Sequence, residues 1–127
     1  MKKLLFISAF VACIVGLKAQ TVPPTPTVIA FAKTEHSFGK IKKDKPVTYV
    51  FSFINNGKKP LLVENATAEC GCTTPVYDKA AILKGKKSTI KVSFNAQAEG
   101  VFNKKVTVKF LNIAQPVILN IKGEVIK

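Results

Sequence analysis

Apolar side chains recur at every second position through much of this sequence, which is the spacing of a β-strand with one buried face. The pattern is clearest at residues 46–55, where one face collects four large side chains: Val47, Tyr49, Phe51 and Phe53. Asn56 and Gly57 follow and favour a tight turn, because both residue types tolerate positive φ. A chain patterned in this way is predicted to fold as a sheet protein.

The same alternation returns in further segments, at residues 28–33, 61–67, 88–95, 102–111 and 117–126. With a short apolar pair around Gly39, these give about six or seven strands, which predict an antiparallel sandwich or barrel in a single domain at residues 28–127. Parallel pairing is not expected, because no crossover helix is available. Residues 70–87 are predicted to form one long loop. The predicted core includes Phe51, Phe53, Phe94, Val108 and Leu119.

The first 19 residues are typical of a secretory signal peptide, with Lys2 and Lys3 before an apolar run and Ala19 at the end. The run at residues 4–17 is shorter than the roughly 20 residues that span a bilayer, so a retained membrane anchor is the weaker alternative. Residues 10–13 also resemble a lipoprotein signal, which would make Cys13 the lipidated first residue. Residues 20–27 are rich in Pro and Thr and predict a short extended tether. The expected location is extracytoplasmic, in the periplasm or at the cell surface.

The chain is strongly basic, with a net charge of +13, and all 20 of its basic residues are lysine. Without the leader, 17 lysines and 7 acids leave a charge of +10. Arg is the residue that reads guanine edges and grips phosphate with two hydrogen bonds, so its absence argues against sequence-specific nucleic-acid binding. Dispersed lysines are most simply a solvated surface. The alternative is attraction to an anionic partner, either a surface polymer such as lipopolysaccharide or an acidic protein face.

One motif holds the two thiols expected to remain free after export, Cys70-Gly71-Cys72-Thr73-Thr74-Pro75. Three interpretations stay open. The first is a Cys70–Cys72 disulfide, shaped by a tight turn in which Gly71, Thr73 and Pro75 take part; it would add little stability, because its loop is so short. The second is a pair of buried or idle thiols. The third is a Cu(I) site made by two soft thiolates.

No other residues form a recognisable catalytic or metal-binding pattern. A structural zinc takes four ligands, and this chain offers one cysteine pair and the sequence-distant His36. The neighbours of His36 give no metal-ligand spacing, so a surface or turn position is expected for it. No nucleophile lies in a known motif, and a hydrolase is therefore not expected. We predict no enzyme activity, no cofactor and no small-molecule substrate.

Several of these segments together resemble the bacterial domain of unknown function 1573 family. The first four are residues 38–41, 49–57, 60–63 and 70–75, and residues 90–95, 100–104 and 119–125 fit the same pattern. The specific part is the step Cys70-Gly71-Cys72-Thr73 between flanking strands. One departure is Lys84-Gly85, where a Pro-Gly pair is commoner in the family.

The resemblance implies an immunoglobulin-like β-sandwich outside the cytoplasm, in a secreted or lipoprotein form, with no enzyme activity and no established role. It also implies a likeness to the immunoglobulin-like modules of ciliary and centrosomal scaffolds. The leading hypothesis is a non-catalytic module of the cell envelope that binds or scaffolds an envelope protein or an anionic surface polymer. The rival hypothesis is a thiol-redox or Cu(I)-handling protein that uses Cys70 and Cys72.

Overall fold

The computed structural model describes residues 28–127. The predicted signal peptide, the Pro/Thr tether and Cys13 lie outside these residues. The described chain forms eight strands: β1 (Ile29–Phe31), β2 (Glu35–Lys42), β3 (Val47–Asn55), β4 (Val63–Ala68), β5 (Thr73–Tyr77), β6 (Lys87–Phe94), β7 (Gly100–Phe110) and β8 (Val117–Ile126). Among the described residues, no helix has the length and apolarity to cross a bilayer.

The strands form two four-stranded sheets that pack face to face as a β-sandwich. The first sheet has the order β1-β3-β6-β5 and the second has the order β2-β8-β7-β4. The apolar positions predicted from the alternation of β3, β6, β7 and β8 point between the sheets. All five of the predicted core residues are buried: Phe51, Phe53, Phe94, Val108 and Leu119. The all-β sandwich prediction is therefore confirmed.

The expectation that no strands pair in parallel is wrong. β2 and β8 pair in parallel, with Glu35 opposite Asn120 and Lys42 opposite Ile126. Parallel neighbours need a long connection, which is usually a helix. Here the connection consists of the five strands between them, which pass through both sheets before the chain returns to β2.

The bounds of two edge segments also differ from the prediction. The segment expected to be one strand at residues 28–33 ends at Phe31, and the chain then crosses to the other sheet as β2. The crossing is anchored on both sides, because Ala32 N donates to Ser52 O and Thr34 O accepts from Asn120 N. The predicted strand at residues 61–67 begins only at Val63, since Leu61 forms an isolated bridge elsewhere.

The loop expected at residues 70–87 contains the edge strand β5. It pairs antiparallel with β6, and Pro75 lies opposite Val92. Pro is tolerated at a sheet edge, where one side of the strand needs no donor. Thr73 and Pro75, expected to belong to the turn beside the cysteines, are therefore strand residues. Gly71 does lie in the turn between β4 and β5.

The turns gather at two opposite ends of the sandwich, which we call the cysteine end and the basic end. The cysteine end comprises residues 43–46, 69–72 and 95–99, joined by hydrogen bonds from Asp44 N to Ala96 O and from Asn95 N to Cys72 O. The basic end comprises residues 56–60, 83–87 and 111–116. β3 runs from one end to the other, a distance of roughly 27 Å for its length.

Candidate functional site

The cysteine pair lies in the turn that connects β4, in the second sheet, to β5, in the first sheet. Cys70 and Cys72 are at disulfide-bonding distance, with their Cα atoms 5.3 Å apart, within the range that a disulfide requires. The turn is held from both sides, because Thr73 N donates to Cys70 O at 3.3 Å and Asn95 N donates to Cys72 O at 3.0 Å. The backbone thus fixes the two sulfur atoms next to each other.

Gly71 lies in this turn without adopting the left-handed backbone conformation that glycine allows. A Cβ added to Gly71 would meet no atom within 4 Å, so the residue is surrounded by open space. Gly71 therefore leaves the outer side of the turn open, next to the two half-buried cysteines.

A buried hydroxyl touches both sulfur atoms. Thr73 is only 4% exposed, and its Oγ1 lies 3.7 Å from Cys72 Sγ and 4.0 Å from Cys70 Sγ. Pairing of Thr73 with Phe94 places the residue at the start of β5 and turns its side chain inward. A hydroxyl can donate to a sulfur atom, and hydrogen bonds to charged acceptors are the stronger ones. The same hydroxyl would therefore stabilise a thiolate more than it stabilises the disulfide.

Within residues 28–127, no group of three or more His, Cys, Asp or Glu side chains converges in a metal-binding arrangement. His36 is part of β2 rather than of a turn. Its ring stacks on Tyr49 with centroids 3.7 Å apart and meets the edge of Phe38 at 4.7 Å. These contacts place His36 in an aromatic cluster between the sheets.

The environment of His36 changes its protonation. Burial, with a smaller contribution from the charge of Lys33, lowers the pKa of His36 below its usual value near 6.5. A histidine that is harder to protonate in the folded state than in the unfolded state makes stability depend on pH. The unfolded chain binds the proton more tightly, so stability is complete above about pH 6.5 and is lost as the pH falls toward the folded pKa.

We therefore expect the free energy of unfolding to fall on acidification from about pH 7.5 to about pH 5.5, and to fall less in a His36→Phe variant. Phe keeps an aromatic ring against Tyr49 and removes the titrating group. Urea unfolding at a series of pH values measures the effect. Parallel pH profiles for the parent and the variant would show that His36 does not contribute.

For the cysteines, we expect exported protein to carry the Cys70–Cys72 bond, so that alkylation modifies neither residue until a reductant is added. Intact mass after alkylation measures this, and two modified cysteines without reductant would contradict it. The free energy of unfolding of a Cys70→Ser/Cys72→Ser variant should lie within about 1 kcal/mol of that of the parent, because so short a loop restricts the unfolded chain little. A collapse of the double variant would make the bond a structural element.

The outer face of the first sheet is a second candidate surface, and its composition is unusual for so basic a protein. Its central row places Val50 and Val76 on either side of Lys91. The row beside it carries three hydroxyl side chains, Thr48, Ser93 and Thr74, with Thr48 Oγ1 and Ser93 Oγ 2.9 Å apart. Val50 and Val76 are 44% and 56% exposed. This row and its neighbours form a surface of small uncharged side chains around a single lysine.

These features define a class of protein, an immunoglobulin-like β-sandwich with a cysteine pair at one end. The family model described as "Protein of unknown function (DUF1573)" matches residues 29–125, and the chain belongs to this family. The resemblance found in the sequence is thereby confirmed. Among curated proteins, no sequence match is found.

Solved structures share the fold at low sequence identity. A protein of unknown function from Porphyromonas gingivalis W83 superposes with a TM-score of 0.67 at 16% identity, over 76% of this chain and 46% of that one. This chain therefore spans about half of that protein. The PapD-like domain 7 of human CEP192 gives a TM-score of 0.68 at 8% identity, over 83% and 92% of the two chains. The YadV chaperone gives 0.58 at 18% identity, over 79% and 53%.

Proposed function

We propose that this protein is a non-catalytic binding module of the cell envelope and that its partner is an envelope protein. The observation that carries the proposal is the outer face of β3, β6 and β5. We call this surface the valine face and define it by Thr48, Val50, Val76, Lys91 and Ser93. On this surface two exposed valines, Val50 and Val76, pair with the same residue, Lys91, which lies between them.

The valine face has the chemistry of a protein interface. Interface centres are depleted in charged residues and surrounded by polar ones. Here the central row holds two exposed valines with Lys91, its one charge, between them, and hydroxyl side chains form the row beside it. The outer face of the second sheet differs, because it mixes lysines with carboxylates, as in the ion pair between Lys122 and Glu35. A mixed charged face of that kind is suited to solvent.

The location in the envelope rests on the sequence of the leader, residues 1–19, and on the family resemblance. The fold agrees with a binding role, since structural neighbours include a PapD-like domain and a protein named as a chaperone. These neighbours share too little sequence to transfer a partner. The proposal therefore names the surface and the class of partner, an envelope protein.

Capture from envelope extracts tests the proposal with matched variants. Val50→Lys/Val76→Lys places two charges on the valine face, and Ile118→Lys places one at a position that is also 44% exposed but lies on the other sheet. We expect the parent and Ile118→Lys to capture the same protein and the double variant to lose at least tenfold, since charges in an interface centre are costly to desolvate. Thermal unfolding of all three should agree within a few degrees, because the substituted side chains are exposed.

Two outcomes would contradict the proposal. Equal capture by the parent and the double variant would show that the valine face is not the interface. Equal loss in the double variant and in Ile118→Lys would show that any added charge abolishes binding, so that no particular face is involved.

A second candidate function is thiol–disulfide exchange, and the contact of Thr73 Oγ1 with both sulfur atoms favours it. A partner thiolate would attack one sulfur atom of the Cys70–Cys72 bond and release the other as a thiolate, which the Thr73 hydroxyl stabilises. A second partner thiol would then displace the mixed disulfide. The products are two protein thiols and one partner disulfide, with two electrons moved from the partner to this chain.

Equilibration with glutathione redox buffers tests this candidate through Thr73. Thr73→Val keeps the shape of the side chain and removes the hydroxyl, whereas Thr73→Ser keeps the hydroxyl. We expect Thr73→Val to make the disulfide about tenfold harder to reduce, the effect of one hydrogen bond to a charged group, and Thr73→Ser to behave like the parent. Equal equilibrium constants for all three proteins would remove the support for exchange without touching the valine-face proposal.

A further inference from the structure

The basic end of the sandwich is built around one buried side chain, Asn55. Its Nδ2 donates to Lys59 O and to Ile82 O, both at 2.8 Å, and its Oδ1 accepts from Gly57 N at 2.9 Å. Its backbone extends the connection, because Asn55 N donates to Lys86 O and Asn55 O accepts from Gly85 N. The turns at residues 56–60 and 83–87, 27 positions apart in the chain, are thereby held side by side.

The two turns that Asn55 joins carry charge of one sign. They contain five lysines and no acid: Lys58, Lys59, Lys84, Lys86 and Lys87. The turn at residues 111–116 adds no charge of either sign, and the nearest carboxylates in the chain, Glu64 and Asp78, lie just outside the turns. The cysteine end is different, because its lysines alternate with carboxylates and Lys43 pairs with Glu99 at 3.4 Å. The two turns of the basic end therefore carry lysines with no carboxylate among them.

Exposed apolar side chains share the basic end with these lysines. Leu83 is 56% exposed and Leu111 is 46% exposed. A surface cavity of about 470 Å³ opens between the turns at residues 56–60 and 111–116, and Lys58, Lys59, Leu111 and Val28 are among the residues that line it. A purely solvated turn gains nothing from exposing leucines, whereas a surface that inserts apolar tips between charged groups does.

We infer that the basic end docks on an anionic membrane surface, with its lysines at phosphate-bearing lipid headgroups and Leu83 and Leu111 at the level where headgroups meet acyl chains. This goes beyond the protein partner proposed for the valine face. Lysine clusters next to a membrane gain affinity from anionic lipid, and amphipathic surfaces gain more from the apolar area that they bury.

The path of the chain agrees with this orientation. The described chain begins at Val28, and Val28 lines the cavity of the basic end, on the side proposed to face the membrane. A nucleic acid would use the lysines but not the exposed leucines. In the proposed orientation the cysteine end points away from the bilayer, roughly 27 Å from the lysines.

Flotation with lipid vesicles tests the inference on the exported form of the protein. The readout is the ratio of partitioning onto phosphatidylcholine vesicles that contain about 30% phosphatidylglycerol to partitioning onto phosphatidylcholine alone. A lipid anchor would raise both values and leave the ratio unchanged. Lys58→Gln/Lys59→Gln is compared with Lys42→Gln/Lys45→Gln, which removes the same charge near the cysteine end. Leu83→Ser is compared with Val101→Ser, an exposed apolar residue on β7.

We expect the partitioning ratio to be well above one and to fall as salt is added. In Lys58→Gln/Lys59→Gln the ratio should fall about thirtyfold, at about fivefold for each lysine. Lys42→Gln/Lys45→Gln should lose no more than about threefold, through net charge alone. Leu83→Ser should weaken binding and Val101→Ser should not. Equal losses in the two lysine pairs, a ratio near one, or soluble polyphosphate competing away all vesicle binding while Leu83→Ser has no effect would each overturn the inference.

Discussion

Replacing Phe51 with Ala is expected to lower the free energy of unfolding by about 3–5 kcal/mol, as truncation of a fully buried aromatic residue does. Phe51 lies at the centre of β3, is only 1% exposed and meets Tyr49 with ring centroids 4.7 Å apart. Removing the ring loses the transfer free energy of its carbons and leaves a cavity that a two-sheet core closes poorly. Urea unfolding measures the loss.

Val50→Ala is the matched control, because it truncates the next residue of the same strand on the exposed face. It should change the free energy of unfolding by no more than about 0.5 kcal/mol. Phe94→Ala offers an independent test on β6, where the ring stacks on Phe102 with centroids 4.1 Å apart. Losses below about 1 kcal/mol at both Phe51 and Phe94 would mean that the assigned core face is wrong.

Asn55→Ala is expected to cost about 3 kcal/mol, although it removes no aromatic ring and only a small side chain. The substitution removes three hydrogen bonds of the Asn55 side chain, those with Lys59 O, Ile82 O and Gly57 N, although Ile82 O keeps its bond from Leu61 N. Each intramolecular hydrogen bond contributes about 0.5–1.5 kcal/mol. Asn103→Ala, at an exposed position of β7, is the control and should change stability by about 0.5 kcal/mol or less.

The Asn55 variant should also loosen the basic end more than the rest of the domain. Amide hydrogen exchange in residues 56–60 and 83–87 is expected to rise well beyond the increase at the cysteine end, because the two turns lose their common anchor. Uniform acceleration across all eight strands would show that Asn55 stabilises the whole sandwich and does not organise the two turns.

The parts of the fold that could be predicted are the ones in which local pattern and tertiary burial agree. β3, β6, β7 and β8 each alternate between core and solvent over most of their length, so period-two spacing assigns both strand and face. The alternation predicts β8 at its observed bounds, residues 117–126. Asn55 continues the inward phase of β3, and that phase was the one signal that a polar side chain would be buried there.

The parts that could not be predicted depend on pairing across the fold. β5 lacks clear alternation and contains Pro75, so only its pairing with β6 makes it a strand. The parallel pairing of β2 with β8 joins a strand near the start of the domain's sequence to its last strand. No local pattern encodes a contact so distant in sequence. The split between β1 and β2 is a change of sheet that leaves no mark on the hydrophobic pattern.

The candidate sites divide in the same way. The motif alone locates the cysteine pair, but it predicts a turn position for Thr73 beside the cysteines. Only the fold shows that its hydroxyl is buried against both sulfur atoms. The basic end could not be found from sequence, because its two lysine turns come together through Asn55. The valine face likewise exists only once β3, β6 and β5 are aligned.

Site-specific photo-crosslinking in intact cells tests most directly whether this domain is a binding module that uses the valine face. A photoreactive residue is placed at Val50, at Val76 or at Ile118, and the exported protein is irradiated in place. We predict one discrete adduct of the same mass from Val50 and Val76 and none from Ile118. Equal adducts from all three positions, or none from Val50 and Val76, would contradict the proposed function.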